Sequence, residues 1–171
     1  MPANQTATIS AGCYTGNLTV GNNATLVMNP GTYYIDRGSI STNGGTITGD
    51  GVTIVLTSSS GGNWSTINLS GHSTVNLTAQ TSGTFSGLVI YADRRMPNHT
   101  GMSIGGGSSQ SFSGDFYFPS TTVTFGGNGS SSSCTRLIAH TISLDGTSTF
   151  ASSCSGMGTA SLGGAPAAIA E

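Results

Sequence analysis

The sequence predicts an all-β fold: a right-handed parallel β-helix, or β-solenoid, of short strands. Three observations support this prediction. They are a repeat of about 21 residues, a composition dominated by turn-forming and small polar residues, and apolar residues in β-branched clusters. Stacked coils bury an internal ladder of apolar side chains, so a chain this polar can still form a core. We expect one solenoid domain over residues 1–158 and an extended C-terminal tail over residues 159–171, where Ala, Gly and Pro dominate.

The repeat is clearest in the first third of the chain. Each unit holds three short apolar segments, and Gly, Asn, Asp or Pro separates one segment from the next, as turns require. The segments of the first two units are residues 18–20, 26–28 and 33–35, then Ile40, Ile47 and residues 52–56. No helix is expected, because Gly or β-branched residues interrupt every amphipathic window.

Later units are longer and contain insertions. Their apolar segments are residues 67–69, 75–77, 88–91, Ile104, Phe112, 116–118, 123–125, 137–139, 142–144 and Phe150. The inserted connections are residues 58–62, 94–101, 105–110 and 126–133. Insertions in solenoids extend as loops from one face, so these loops are where a ligand would bind. Many short strands also suit a β-sandwich, but the quasi-repeat and the lack of two-residue hairpin signals favour the solenoid.

The composition argues against a disordered chain and against binding to nucleic acid or to an anionic membrane. Charged residues make up 6% of the chain, Lys is absent, the formal net charge is -2 and the only Glu is Glu171. Disorder usually accompanies high net charge and few apolar residues, whereas this chain is 35% hydrophobic. Such a charge gives no electrostatic signal for nucleic acid or an anionic membrane. No apolar run approaches the length of a membrane span, and the polar residues that follow Met1 do not predict a signal peptide.

The three cysteines leave two interpretations open. In an extracellular protein, Cys134 and Cys154 would form a disulfide that pins the last coil, contributing ~3 kcal/mol, and Cys13 would stay unpaired. In a reducing compartment all three would be buried free thiols. The cysteine spacing offers too few ligands for a metal, and the three histidines are scattered along the sequence.

Five segments carry a resemblance to a known family. They are N-P-G-T-Y-Y-I-D at residues 29–36, G-D-G-V-T-I-V-L-T at 49–57, G-L-V-I-Y-A-D-R at 87–94, G-D-F-Y-F-P at 114–119 and C-T-R-L-I-A at 134–139. In this order and spacing they resemble the C-terminal region of TadG-like proteins, from the Flp (Tad) pilus-assembly systems of bacteria. The resemblance spans residues 12–158 and supplies no catalytic motif.

The resemblance implies a location in the bacterial cell envelope or outside the cell. TadG-like proteins carry an N-terminal membrane helix and a further upstream region, so it also implies that this chain is a fragment or a shortened relative. Cys13 would then have lost an upstream partner. An extracellular family also favours the disulfide between Cys134 and Cys154.

The few charged residues form no recognisable catalytic set. Carbohydrate-cleaving β-helices need carboxylates for acid–base chemistry. Asp50 and Asp145 lie in Gly-Asp-Gly and Leu-Asp-Gly turn signatures, where the side chain caps its own backbone. Residues 36–37 and 93–95 each follow a strand at a coil corner, where we expect structural ion pairs aligned as a small charge ladder. We therefore expect no catalytic residue, no cofactor and no metal site.

The candidate ligand-binding residues lie in and beside the inserted loops. The candidate ligand contacts are Trp64, Asp93, Arg94, Arg95 and His99. Trp64 is the best candidate for stacking on a sugar because it follows Gly-Gly-Asn in a polar stretch. Aromatic residues within strands, such as Tyr91, Tyr117 and Phe118, more often belong to the core. We expect His99 to be a loop residue. His140 lies between two apolar segments, so we expect it to be a half-buried strand residue.

The sequence therefore predicts a non-enzymatic structural, adhesive or assembly module of the bacterial envelope or surface, related to Tad-type pilus systems. A carbohydrate-binding or carbohydrate-active β-helix is the alternative. Ice binding is a weaker one, based on Thr-x-Thr at residues 6–8, 46–48 and 122–124, since outward Thr is common in strands. The expected partners are an envelope protein, a glycan, or a second copy that pairs with the open end of the solenoid near residues 18–20 and 26–28.

Overall fold

The computed structural model describes residues 1–70, 72–105, 109–127 and 135–146, and this part of the chain is all-β. These residues form strands, turns and bends and contain no helix. The strands are β1 (Thr6–Ile9), β2 (Gly12–Thr15), β3 (Leu18–Val20), β4 (Thr25–Met28), β5 (Gly31–Asp36), β6 (Ser39–Asn43), β7 (Thr46–Gly49), β8 (Val52–Thr57), β9 (Thr66–Ser70), β10 (Thr74–Thr78), β11 (Leu88–Ala92), β12 (Thr100–Gly105), β13 (Ser109–Ser113), β14 (Asp115–Gly127) and β15 (Leu137–Gly146).

Strand pairing is parallel throughout the described residues and advances three strands at a time. Each strand from β1 to β11 pairs with the strand three places later. One sheet has the order β1-β4-β7-β10-β13, and the other has the order β2-β5-β8-β11-β14-β12-β9-β6-β3, with β15 paired to β14. Such pairing is what a coil of three strands requires, because each turn of the chain returns a strand to the same face one coil later.

The register confirms the repeat near the N-terminus and shows where it lengthens. Gly12 lies opposite Tyr33, and Tyr33 lies opposite Ile54, so each of these two steps is 21 residues. Ile54 then lies opposite Ile90, because the connections that follow β8 and β10 carry extra residues. The parallel, all-β part of the sequence prediction is therefore confirmed.

Two pairs of expected strands are continuous in the structure. Residues 116–118 and 123–125 belong to the single strand β14, and residues 137–139 and 142–144 belong to β15. Neither strand is interrupted by a turn between its two apolar segments. Instead, the register of β14 with β15 shifts between Phe118 and Thr122. Because β14 spans this corner, it joins β11 to β12 and makes the two halves of the larger sheet continuous.

The core is an internal ladder of alternate strand residues. Leu26, Ile47 and Val75 are register partners on three successive coils, and each is 1% exposed. At the C-terminal end of the described stack the ladder becomes aromatic. The Phe116 ring contacts the rings of Phe112, Phe118 and Phe125, with centroids 5.0, 6.3 and 6.3 Å away. Aromatic pairs at such spacings add to the burial of their apolar area.

One buried aromatic residue in the core also carries a polar group. Tyr33 is fully buried, and its single O–H lies between two acceptors, the backbone oxygens of Asn29 (2.7 Å) and Ile9 (2.9 Å), which share the donated hydrogen. Burial of this hydroxyl raises its pKa. This shared hydrogen bond joins the connection between β4 and β5 to the end of β1, so the polar group is satisfied inside the stack.

The two ends of the described stack differ from the expectation. Residues 18–20 do lie at an edge, because β3 pairs only with β6. Residues 26–28 do not, because β4 pairs with β1 on one side and with β7 on the other. At that end the chain begins by crossing the first coil: Met1 packs against the core, and its carbonyl accepts the Gly21 N–H (3.2 Å). The exposed part of the ladder lies at the other end, where Ile142 and Leu144 of β15 are 45% and 60% exposed.

The described residues include no helix of the length and apolarity needed to cross a bilayer. Cys134, Cys154, Phe150 and the tail over residues 159–171 lie outside the described residues, so the predicted disulfide and tail stay predictions. Cys13 lies in β2 as an exposed free thiol. The interpretation with three buried thiols is therefore wrong for Cys13, whose side chain projects from the outer face of that strand.

Candidate functional site

Three of the five residues predicted to contact a ligand meet at one corner of the coils. This corner, which we call the Asp93 corner, comprises Thr57, Trp64, Asp93 and Arg95. It lies where β8 and β11 end and the chain turns toward β9 and β12. The Asp93 N–H donates to the carbonyl of Leu56 (3.0 Å), which continues the strand ladder one residue into the turn.

The Asp93 carboxylate is held ionised by its neighbours. Arg95 donates to it through Nε (3.0 Å), Nη2 (2.6 Å) and its backbone N–H (3.0 Å), and the Thr57 hydroxyl donates at 2.8 Å. The Arg95 side chain makes the largest contribution to lowering the pKa of Asp93 from 3.8 to about 2. The same pairing raises the pKa of the Arg95 guanidinium. A carboxylate bound in this way is poorly suited to exchange protons near neutral pH.

Both arginines of the loop lie over aromatic rings. The guanidinium carbon of Arg95 is 5.6 Å from the centre of the Trp64 ring, and that of Arg94 is 5.3 Å from the centre of the Tyr117 ring. Cation–π attraction operates at these distances. Trp64 also packs partly against the core. One face of the Trp64 ring is therefore occupied, although this residue was the best sequence candidate for stacking on a sugar.

A second acidic residue follows the same pattern one coil earlier. Asp36 lies opposite Thr57, the residue that donates to Asp93. Hydrogen bonds from the N–H (2.7 Å) and hydroxyl (2.8 Å) of Ser59 are the main cause of its lowered pKa, and Arg37 adds a contact at 3.2 Å. The predicted corner ion pairs are present, but each Asp binds an Arg of its own turn. Thr57 lies between the two Asp positions, so the ladder alternates charge and hydroxyl.

Aromatic side chains form a row along the outer surface of the larger sheet. This aromatic row comprises Tyr34, Phe85, Tyr91 and Tyr117. Tyr91 and Tyr117 are register partners with stacked rings, 5.4 Å apart. The Phe85 ring lies 6.3 Å from that of Tyr34 and 5.5 Å from that of Tyr91. The row therefore extends over the coils that contain β5, β8, β11 and β14.

Sequence reasoning found only part of this row. Tyr34 and Phe85 were missed, although the alignment of Tyr34 with Val55 and Tyr91 follows from the strand register. Phe85 could not be placed by a repeat, because it lies in the insertion between β10 and β11. Of the strand aromatics expected more often in the core, Phe118 is fully buried, whereas Tyr91 and Tyr117 are half-buried on the outer face.

His99 is the fifth predicted contact residue, and it lies apart from the Asp93 corner. It is a loop residue, as expected, with a positive φ of 67° and an N–H that donates to the carbonyl of Ser120 (3.0 Å). Its ring contacts that of His140, with centroids 4.8 Å apart and planes at 81°. The histidines are scattered in sequence, but the fold brings these two together. His140 is exposed rather than half-buried, because β15 is an edge strand in the described residues.

The threonine pattern proposed for ice binding is discontinuous. Residues 6–8 and 46–48 lie on β1 and β7 of the five-stranded sheet, but the strand between them has Val27 in the corresponding outward position. Residues 122–124 lie on β14 in the other sheet. The structure therefore does not place the three Thr-x-Thr segments on one face.

Comparison of the chain with family models, curated proteins and solved structures finds no match. Among the described residues no group of three or more His, Cys, Asp or Glu side chains is arranged to hold a metal ion. The arrangement of the Asp93 corner is that of a structural ion-pair and cation–π cluster. Outside this corner, Tyr34 of the aromatic row and both histidines of the His99–His140 pair are exposed.

Proposed function

We propose that this chain is a right-handed parallel β-helix that serves as a non-enzymatic structural, adhesive or assembly module of the bacterial envelope or surface, related to Tad-type pilus systems. The observation that carries this proposal is the internal pairing of the corner charges. Asp93 is bound by Arg95 and Thr57, and Asp36 by Ser59 and Arg37. These two carboxylates are engaged in turns between stacked coils, so neither is free to act on a substrate.

The shape of the described chain supports the same proposal. The parallel, three-step pairing gives a rigid stack whose outer faces repeat from coil to coil, a geometry suited to extended contact surfaces. The aromatic row supplies apolar contact area on one of those faces, and aromatic residues are enriched at protein interfaces. The resemblance of five segments to TadG-like proteins supplies the cellular context of the proposal.

Binding and turnover measured together test the proposal. The chain would be titrated with a glycan panel and with fractionated envelope proteins, while products are monitored by mass spectrometry. We expect saturable binding without product formation, and unchanged binding for D93N. Glycan cleavage by the wild type that disappears in D93N would show the protein to be an enzyme.

Carbohydrate binding is the second candidate function, and the aromatic row favours it. Tyr34 is 41% exposed, which makes it the most accessible ring of the row for stacking on a sugar. The stacked pair of Tyr91 and Tyr117 presents less free ring face. The glycan titration would be repeated with Y34A and with I138A, an exposed non-aromatic residue opposite Tyr117. Loss of glycan binding in Y34A alone would favour a carbohydrate-binding module.

A further inference from the structure

His99 and His140 form an exposed pair that connects two distant parts of the chain. His99 ends the loop between β11 and β12, and His140 lies in the middle of β15. The corner of β14 at Ser120 lies between them in the stack, and the His99 N–H donates to the Ser120 carbonyl. The loop thus reaches over one coil to contact the next, and the histidine rings meet at the point of contact.

The distance between the rings matches that of two ligands on one metal ion. With metal–nitrogen bonds of about 2.0–2.1 Å, two imidazoles on one tetrahedral ion have ring centroids about 5 Å apart. The observed distance is 4.8 Å. An angle of 81° between the planes is compatible with this, since each ring turns freely about its metal–nitrogen bond. We propose that His99 and His140 bind a divalent transition-metal ion, Zn²⁺ or Cu²⁺. The bound ion would link β15 to the loop between β11 and β12.

The loop holds His99 in place before any ion binds. Its two ends are fixed by hydrogen bonds: the Ser120 hydroxyl donates to the Arg94 carbonyl (3.1 Å), and the Thr100 hydroxyl donates to the Pro97 carbonyl (2.9 Å). The positive φ of His99 is a conformation that few non-glycine residues adopt, and the N–H bond to Ser120 maintains it. A preformed pair loses less conformational freedom when it binds an ion.

The neighbouring charges define the class of ion. Asp93, the acidic residue of this loop, is already bound to Arg95, and the Arg94 guanidinium lies over Tyr117. Among the described residues no Asp, Glu or Cys joins the two histidines as a third ligand, and water would complete the coordination because both rings are exposed. Imidazole suits Zn²⁺ and Cu²⁺, whereas Mg²⁺ and Ca²⁺ prefer oxygen ligands.

A variant set with a matched control tests the site. The third histidine, His72, is also exposed and also has a positive φ, of 49°, but it lies in the connection between β9 and β10. The variants are H99N, H140Q and H72N; Asn is chosen because it tolerates positive φ. All variants carry C13S, which removes the exposed thiol that would itself bind these ions. Calorimetric titration with ZnCl₂ and CuCl₂ should show one site in C13S alone and with H72N, and an affinity at least tenfold weaker with H99N and with H140Q. An equal loss in H72N, or no loss in H99N and H140Q, would overturn the proposal.

Hydrogen exchange supplies a second readout that does not depend on affinity alone. Saturating ZnCl₂ should slow amide exchange in β15 of the wild type, because the ion joins this edge strand to the loop. The same addition should leave β15 of H140Q unchanged and should leave β1, far along the stack, unchanged in both proteins. MgCl₂ at the same concentration should have no effect. Zinc binding that leaves amide exchange in β15 of the wild type unaltered would refute the proposed link between β15 and the loop.

Discussion

Gly38 packs against the backbone of Gly16 in the preceding coil. A β-carbon at position 38 would overlap the carbonyl oxygen of Gly16, which is a backbone atom and cannot rotate away. Both glycines lie in the turns that follow β2 and β5, on the same edge of the stack as the Asp93 corner. Close backbone contact at this corner allows the next coil to stack directly on the first.

We expect G38A to destabilise the protein by about 1–3 kcal/mol, because the added methyl group forces two coils apart. G62A is the matched control: a β-carbon there meets no atom within 4 Å, and Gly62 has no positive φ. Urea unfolding followed by circular dichroism measures both variants. Equal stability of G38A and G62A would mean that the corner is not tightly packed.

Asp93 should contribute to stability only while it is ionised. Its folded pKa is lowered to about 2, so the contribution is fully present above the ordinary value of 3.8 and is lost as the pH falls through about 2. D93N should therefore be less stable than the wild type by about 1 kcal/mol at pH 7, allowing for solvent screening of a partly exposed pair. The difference should shrink as the pH is lowered from 4 to 2. Unfolding titrations at several pH values measure it, and a difference independent of pH would contradict the ion-pair role.

The disulfide prediction can be tested directly by peptide mapping. Under non-reducing conditions we expect one cross-linked peptide pair containing Cys134 and Cys154. Cys13 is exposed in β2 and should react with iodoacetamide in the folded protein. A C13S variant should leave the cross-link intact. A cross-link that includes Cys13 would overturn the predicted pairing.

Self-association is expected at the end of the stack formed by β15. Ile142 and Leu144 continue the internal ladder there, and with Thr135 and Leu137 they line a hollow of about 270 Å³. An edge strand with exposed apolar side chains can pair with another chain. Light scattering over a concentration series should show a rising mass for the wild type and a lower mass for L144D.

The matched control for this prediction is S143D, which places the same charge on the same strand. Ser143 lies opposite Thr124 on the outward side of β14, whereas Leu144 lies opposite the buried Phe125. S143D should therefore associate like the wild type. A mass that stays monomeric at all concentrations in the wild type would show that this end is already covered.

The repeat in the sequence was sufficient to predict parallel strands and the residues of the first coils. The strand segments at residues 33–35 and 52–56 were predicted from local composition, and the structure shows which of their residues face inward: Tyr33, Ile35 and Ile54 are buried. The corner position of Asp93 also followed from the sequence, because Asp and Arg directly after a strand indicate a turn. Phe85 shows the limit of this reasoning, since it lies in an insertion and its contacts with Tyr34 and Tyr91 depend on how that insertion folds back.

The sequence by itself determined the all-β class, the three-strand unit and the corner location of the charged residues, because these depend on local alternation and turn chemistry. The tertiary structure decided which residues meet across coils. His99 and His140 come together only because the loop before β12 reaches past Ser120, and Thr57 meets Asp93 only because the insertion between β10 and β11 preserves the register of β8 with β11. The inserted connections differ in length, so residues that are neighbours in space are not a constant number of residues apart in the sequence. The period of the repeat therefore cannot predict such contacts.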